Sequence, residues 1–247
     1  MDKIKKVLIT REGKKFYVRN IDEDLHTQYG FVSKSDLKKT KDGDLLQSNT
    51  KKDFFIFDPA FIDAYRKIKR DAQIIPLKDI GLIIAETGIN KSSRILDAGS
   101  GSGALACFLA GIAKEVFTYE IREDFIEIVK ANVDFLQLKN IHIKKINIYE
   151  KIEEKNIDAV TLDVPEPWNA IENCAKALKA GGFLVSYSPS VPQVADFVNA
   201  VKQNGHFIYL KTTEIIEREW EVEERIVRPK SKGIGHSGFL SFARKVR

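Results

Sequence analysis

Two rhythms of apolar and polar residues divide the chain. Up to about residue 50 the apolar residues come in short alternating runs separated by turn signals. Val7-Leu8-Ile9-Thr10 and Lys15-Phe16-Tyr17-Val18 flank Glu12-Gly13-Lys14, a pattern that predicts two strands joined by a turn. Phe31-Val32 and Leu45-Leu46 follow, with Asp42-Gly43 as another turn signal, and Phe54 to Phe57 predicts a further strand before Asp58-Pro59. Aromatics alternate with lysines here, as on a small barrel or open sheet. Ala60 to Arg70 reads as a helix leading into a second domain.

From Leu77 the rhythm changes. Strands are expected near 94–97, 116–120, 141–146, 158–162 and 182–188, and helices near 78–87, 103–113, 123–137, 168–179 and 191–203. Gly181-Gly182 before Phe183 punctuates a return from helix to strand. Phe207 to Leu210 and Phe239 to Ala243 predict two last strands. Between them Lys211 to Gly238 is too long for a plain loop and too polar for a buried element, so an extended hairpin or an oligomer contact is expected. The βαβ alternation implies an α/β fold, with a mostly parallel sheet covered on both faces and ligands at the carboxyl ends of its strands. Residues 1–70 are thus expected to form a small β-rich domain with a linker helix, and 71–247 the α/β domain.

Composition narrows the class. The 247 residues are 43% hydrophobic and 30% charged, as in a globular protein, and no apolar run approaches the roughly 18 residues of a membrane span. Met1-Asp2-Lys3-Ile4-Lys5-Lys6 lacks the apolar core of a secretion signal. The two cysteines, Cys107 and Cys174, have neither metal nor disulfide-framework spacing, and each falls in an expected helix. A reduced, cytoplasmic location follows as an expectation, with no membrane and no metal.

The net charge of +5 is unevenly spread. Residues 1–70 hold 17 Lys+Arg against 11 Asp+Glu, and residues 225–247 hold seven basic residues and no acid. The middle is acidic. Basic flanks around an acidic centre suit either an extended polyanion gripped at both ends or an ordinary lysine-rich solvated surface.

Candidate chemistry lies at the strand ends. In Arg94-Ile95-Leu96-Asp97-Ala98-Gly99-Ser100-Gly101-Ser102-Gly103-Ala104-Leu105 an apolar run ends in a carboxylate and then alternate glycines, which let the backbone approach a ligand closely. A second apolar run, Val116 to Tyr119, ends at Glu120, 21 positions after Gly99, where an acid meets ribose hydroxyls. The spacing is not the dinucleotide Gly-x-Gly-x-x-Gly. Asp97 would disfavour a pyrophosphate and suits a cation such as the amino group or sulfonium of S-adenosylmethionine. An NAD-dependent oxidoreductase is the rival reading.

Further strand ends point the same way. In Thr161-Leu162-Asp163-Val164-Pro165-Glu166-Pro167-Trp168 two prolines stiffen the loop that carries Asp163, which suits a fixed catalytic acid. Trp168 either offers an apolar plane or begins the next helix. Tyr187, in Ser186-Tyr187-Ser188-Pro189, is either a base-contacting ring or a strand-end aromatic. Asn147 is either a partner of an adenine amine or a turn residue.

Over nearly its whole length the chain resembles the archaeal TrmI-like tRNA adenine-N1 methyltransferases that modify position 58 of the T-loop. The resemblance rests on Ile95 to Leu105, on Tyr119-Glu120-Ile121-Arg122-Glu123-Asp124-Phe125, and on Leu162-Asp163-Val164-Pro165-Glu166-Pro167. It continues through Ala177 to Phe183, Arg228-Pro229-Lys230 and His236-Ser237-Gly238-Phe239. It implies a class I, Rossmann-like methyltransferase domain with a seven-stranded, mostly parallel sheet after a small β-rich domain, assembled as a homotetramer that acts on tRNA. It implies that Ser102, Gly103, Ala104, Leu105, Glu120 and Asn147 line an S-adenosylmethionine pocket, with Asp97, Gly99, Gly101 and Asp163 in the same contact set. Asp163 would be the catalytic acid and Tyr187 a wall of the adenine pocket. Two positions depart from the family pattern: Asn147 stands where an aspartate is usual, and Ile75-Pro76-Leu77-Lys78-Asp79 lacks a ring before its proline. The modification of neighbouring adenine 57, a different methyl acceptor, or a noncatalytic tRNA-binding role stay open. A noncatalytic subunit would be expected to lose Gly99, Gly101, Glu120 or Asp163, and all four are present.

Overall fold

The computed structural model describes residues 2–71, 73–233 and 235–246. By its internal contacts the chain forms two units, residues 1–68 with 134–137, and residues 69–133 with 138–247.

The first unit contains β1 (Lys6–Ile9), β2 (Lys15–Val18), β3 (Leu25–Thr27), β4 (Gly30–Val32), α1 (Lys34–Lys39), β5 (Leu45–Gln47), β6 (Asp53–Phe57) and α2 (Phe61–Tyr65). An antiparallel sheet runs in the order β2-β1-β6-β5, and β3 and β4 form a separate hairpin. Leu8 lies opposite both Phe16 and Ile56. Residues directly opposite share a face, so this register gathers Leu8, Val18, Val32, Leu37, Phe54 and Ile56 into one buried cluster. Ser33 accepts a bond from the Asp36 amide at 3.1 Å and starts α1. The helix expected over 60–70 stops at Tyr65, just before the run Arg66-Lys67-Ile68-Lys69-Arg70, whose like charges at helical spacing disfavour another turn.

The second unit contains α3 (Leu77–Thr87), β7 (Arg94–Ala98), α4 (Ala104–Ala110), β8 (Glu115–Glu120), α5 (Glu123–Leu136), β9 (Ile141–Lys145), β10 (Ile157–Leu162), a 3-10 turn (Pro167–Ala170) and α6 (Ile171–Ala177). It continues with β11 (Leu178–Ser188), α7 (Val191–Asn204), β12 (Phe207–Thr213), β13 (Trp220–Glu223), β14 (Ile226–Pro229) and β15 (Phe239–Lys245). The last residues of α5 group with the first unit. The seven-stranded sheet has the order β12-β15-β11-β10-β7-β8-β9, and β15 is antiparallel to both of its neighbours. Strands β7, β8 and β10 are buried along almost their whole length, as parallel strands covered on both faces must be. Leu96, Val160, Leu184, Phe197, Val201 and Ala243 are fully buried in the core cluster of one face.

Two local expectations are not met. The helix expected over 168–179 is a 3-10 turn followed by α6, because Leu178 already pairs with Ile157 and belongs to β11. The Gly181-Gly182 pair therefore lies inside β11, where the register with β10 shifts. The hairpin expected within 211–238 is present: β12 runs on to Thr213, and β13 then pairs with β14. The basic end is also less free than its composition suggests. Arg228 pairs with Glu221 at 3.0 Å, Lys230 pairs with Glu219, and Arg244 donates to the Gly181 carbonyl at 3.0 Å. Both cysteines are buried. Among the described residues no helix is long and apolar enough to cross a membrane.

Candidate active site

The sheet order places β7 beside both β8 and β10, so the chain reverses its direction of travel across the sheet between β7 and β10. Loops diverge at such a point and leave a crevice beyond the carboxyl ends of the strands. Register fixes what faces that crevice. Asp97 lies level with Thr118 on β8 and Thr161 on β10. Two residues further along each strand come Gly99, Glu120 and Asp163.

Asp97 is 2% exposed. The Thr161 hydroxyl donates to its Oδ1 at 2.8 Å and the Thr118 hydroxyl to its Oδ2 at 3.1 Å. Burial outweighs these bonds and, with the nearby charge of Glu120, raises its pKa to about 6. Asp163 is held by its main chain: its amide donates to the Ala98 carbonyl at 2.9 Å. Burial first, and the charge of Asp97 second, raise its pKa to about 7. Two carboxylates resisting ionisation side by side make a site that favours a cation.

Glu120 is organised differently. Its Oε1 accepts the amides of Ile121 and Arg122 at 2.8 and 3.0 Å, and its Oε2 accepts the amide of Gly101 at 3.1 Å. These bonds fix the carboxylate at the mouth of the glycine loop with lone pairs left for hydroxyl donors. Gly99 has φ +84°, and a β-carbon there would collide with the Asp163 carbonyl. The opposing backbone can come this close only because the residue is glycine.

A cavity of about 370 Å³ opens over these groups, lined by Gly99, Gly101, Glu120, Asn147 and Asp163 among others. A smaller recess continues from it past Asp97, Gly99, Ser102, Ala104, Leu105 and Asp163. The structure thus gathers Asp97, Gly99, Gly101, Ser102, Ala104, Leu105, Glu120, Asn147 and Asp163 around one space. Gly103 lies outside the lining, in the left-handed turn before α4 and against Val129. Tyr187 is also outside it: the ring is 7% exposed and its hydroxyl donates to the Ser237 carbonyl at 2.6 Å. Trp168 belongs to the 3-10 turn and packs against the core cluster. Asn147 folds its side chain back, accepting the Tyr149 amide at 3.0 Å.

A model of the tRNA methyltransferase complex GCD14 subunit family matches residues 66–231. That span covers the glycine loop, Glu120, Asn147 and Asp163 together. The chain belongs to the GCD14 family.

Its relatives include the tRNA (adenine(57)-N(1)/adenine(58)-N(1))-methyltransferase TrmI of Methanocaldococcus jannaschii, 34% identical over 97% of this chain and 94% of that protein. The tRNA (adenine(58)-N(1))-methyltransferase TrmI of Thermus thermophilus is 32% identical over 89% of this chain and 88% of its own. Among solved structures, an O-methyltransferase of Thermotoga maritima superposes with a TM-score of 0.89 at 30% identity, covering 100% of this chain and 94% of its own. The tRNA (m1A58) methyltransferase TrmI of Aquifex aeolicus gives 0.84 at 25% identity, covering 100% of this chain and 99% of its own. The GCD14-family fold is thus a class I methyltransferase sheet, seven-stranded and mostly parallel as the sequence implied.

Several residues that build this GCD14-family site escaped the sequence. Thr118 and Thr161 hold Asp97; the signal was their place two positions before Glu120 and Asp163, level with Asp97 once the strands are aligned. Asn132, fully buried, donates to the carbonyls of Ser102 at 2.8 Å and Lys69 at 2.9 Å and so ties down the end of the glycine loop. Nothing local marks it, since its partners lie 30 and 63 positions away.

Proposed function

We infer that this protein transfers a methyl group from S-adenosylmethionine to N1 of adenine 58 in the T-loop of tRNA. The observation that carries this reading is the acid set Asp97, Glu120 and Asp163 around the cavity and its adjoining recess, in a GCD14-family chain that matches the Methanocaldococcus enzyme over 97% of its length. The donor set fits the cofactor. Asp97 offers negative charge to the sulfonium or amino group, and Glu120 has lone pairs left for the ribose hydroxyls. When bound, the cofactor supplies an electrophilic methyl group.

The chain's own residues do the rest. Adenine N1 carries a lone pair in the neutral base, so no proton need be removed before attack. The base must leave its stack at a cost of about a few kcal/mol, which phosphate contacts to basic surface offset. Exposed Lys39, Lys41 and Lys51 of the first unit, and Arg225 and Lys232 of the second, have no ion pair among the described residues and suit that role. As positive charge spreads from N1 to the exocyclic amine, the Asp163 carboxylate accepts a strengthening hydrogen bond from that amine. Pro165 and Pro167 keep the loop after it stiff. Tyr187 lies one strand over, where its ring can wall the base.

Methylation of the adjacent adenine 57 is the finer reading, supported by the name of the Methanocaldococcus relative. Assembly as a homotetramer is supported by the β13–β14 hairpin, whose Trp220, Val222, Ile226 and Val227 are 52–67% exposed. The tRNA-modifying relatives support a cytoplasmic location. The O-methyltransferase name of the Thermotoga neighbour shows that fold alone does not choose the acceptor. Incubating the protein with an unmodified tRNA transcript and labelled cofactor, then mapping the methylated nucleoside, tests the reading. 1-Methyladenosine at position 58 is expected; its absence there would refute the assignment.

A further inference from the structure

Outside the cofactor cavity the second unit holds a lysine largely shielded from solvent. Lys78 Nζ lies 2.8 and 2.9 Å from the two carboxylate oxygens of Asp79 and donates to Ser237 Oγ at 2.6 Å, and Ser237 Oγ donates to Asp79 Oδ2 at 2.9 Å. The side chains of Lys78 and Asp79 are 9% and 1% exposed. A buried ion pair costs desolvation that apolar residues of the same size would avoid, so it is weak evidence for stability and better evidence for fixed geometry.

What it fixes is the segment 236–238. Beside Ser237, His236 meets Glu214 through Nδ1 at 2.6 Å and the Pro189 carbonyl through Nε2 at 3.0 Å. The Ser237 carbonyl accepts the Tyr187 hydroxyl at 2.6 Å. Gly238 lies against the hydroxyl end of the Tyr187 ring, where a β-carbon would collide with it. The segment therefore clamps one aromatic ring at its hydroxyl and along its edge. Strand register sets that ring beside the candidate catalytic acid: Leu162 pairs with Ser186, so the next residues are Asp163 and Tyr187. Burial raises the Tyr187 pKa to about 12, and the charges of Asp79 and Asp163 add to the rise.

We propose that Lys78, Asp79 and Ser237 are positioning residues for the methyl acceptor, fixing the Tyr187 ring through the Ser237 carbonyl so that an adenine is held against Asp163. This inference rests on the methyltransferase reading above. None of the three lines the cofactor cavity, so their loss acts on turnover and leaves cofactor affinity in place.

A double-mutant cycle tests it, with turnover measured on tRNA transcript and cofactor affinity measured by calorimetry. Ser237→Ala is expected to lower kcat about tenfold, Tyr187→Phe by a similar factor, and both to keep the cofactor Kd within about twofold. The double variant is expected to lose little beyond either single one, because Ser237→Ala frees the segment that carries the carbonyl acceptor while Tyr187→Phe removes the hydroxyl that bonds it, so both undo the same contact. Lys78→Met should repeat the Ser237→Ala result, and Lys78→Arg should recover part of the turnover. Losses that multiply in full, wild-type kcat in either single variant, or cofactor affinity falling in step with turnover would overturn the inference. If Ser237→Ala melts below the assay temperature, Lys78→Met with Tyr187→Phe completes the same cycle, and if Lys78→Met does, Ser237→Ala with Tyr187→Phe stands. Wild-type protein that methylates no tRNA would instead overturn the underlying reading.

Discussion

The Asp163 amide donates to the Ala98 carbonyl at 2.9 Å, joining the ends of β10 and β7 at the point where the sheet reverses its order. That bond brings the Asp163 carbonyl over Gly99 so closely that no side chain fits between them. Gly99→Ala must therefore separate the strand ends or strain a residue at φ +84°. The expected loss is about 1–3 kcal/mol of stability, seen as a lower melting temperature, together with loss of cofactor binding by calorimetry. An unchanged melt with full binding would contradict the tight closure of this loop.

Glu120 and Asp163 separate binding from chemistry. Glu120→Ala removes an acceptor shared by three amides and the proposed ribose contact. Cofactor affinity should fall about 10–100-fold, the range for hydrogen bonds to a charged group. Turnover at saturating cofactor should change far less. A Glu120→Ala protein with wild-type affinity would remove this residue from the cofactor site.

Asp97 and Asp163 make the empty protein and its ligand affinity depend on pH. Both have folded pKa values raised above the ordinary carboxylate value of 3.8, to about 6 and about 7. The folded state therefore holds more protons than the unfolded chain between about pH 4 and pH 7, and stability falls as pH rises through that window. A cationic ligand has the opposite preference, because it favours the ionised carboxylates. S-adenosylmethionine should bind several-fold more tightly at about pH 7.5 than at about pH 5.5, releasing protons as it binds. Calorimetry in buffers of different ionisation enthalpy reads both effects. S-adenosylhomocysteine, which lacks the sulfonium charge, should show a weaker dependence. Equal pH profiles for the two ligands would contradict a contribution of the sulfonium charge to this dependence.

The hairpin makes its own prediction. Trp220→Glu combined with Val227→Glu places charge on an exposed apolar strip without touching the core. Sedimentation should show smaller particles than the wild type, with the far-UV spectrum unchanged. An unaltered assembly would move the oligomer contact elsewhere.

Much of the second unit was legible because its signals are local. Long apolar strands, the glycine loop after Asp97, and acids at strand ends each occupy a few adjacent residues. The seven strands of the sheet all lie where periodicity set them, within a few residues. Illegible features depend on pairing across the chain. Arg228 and Lys230 read as free positive charge, yet the hairpin sets Glu221 of β13 and Glu219 just before it beside them. The Tyr187 hydroxyl finds its acceptor 50 residues away at Ser237. In the first unit α1 and β3 are short and polar, so neither period stands out, although Ser33 and Asp36 did carry a start signal.

The central claim is that Asp163 stabilises the charge developing on adenine during methyl transfer. Single-turnover kinetics with Asp163→Ala and saturating S-adenosylmethionine on a tRNA transcript test it most directly. The account predicts a loss of about 100-fold or more in the rate at adenine 58, with cofactor affinity at neutral pH retained within a few-fold. A rate within a few-fold of wild type would contradict it.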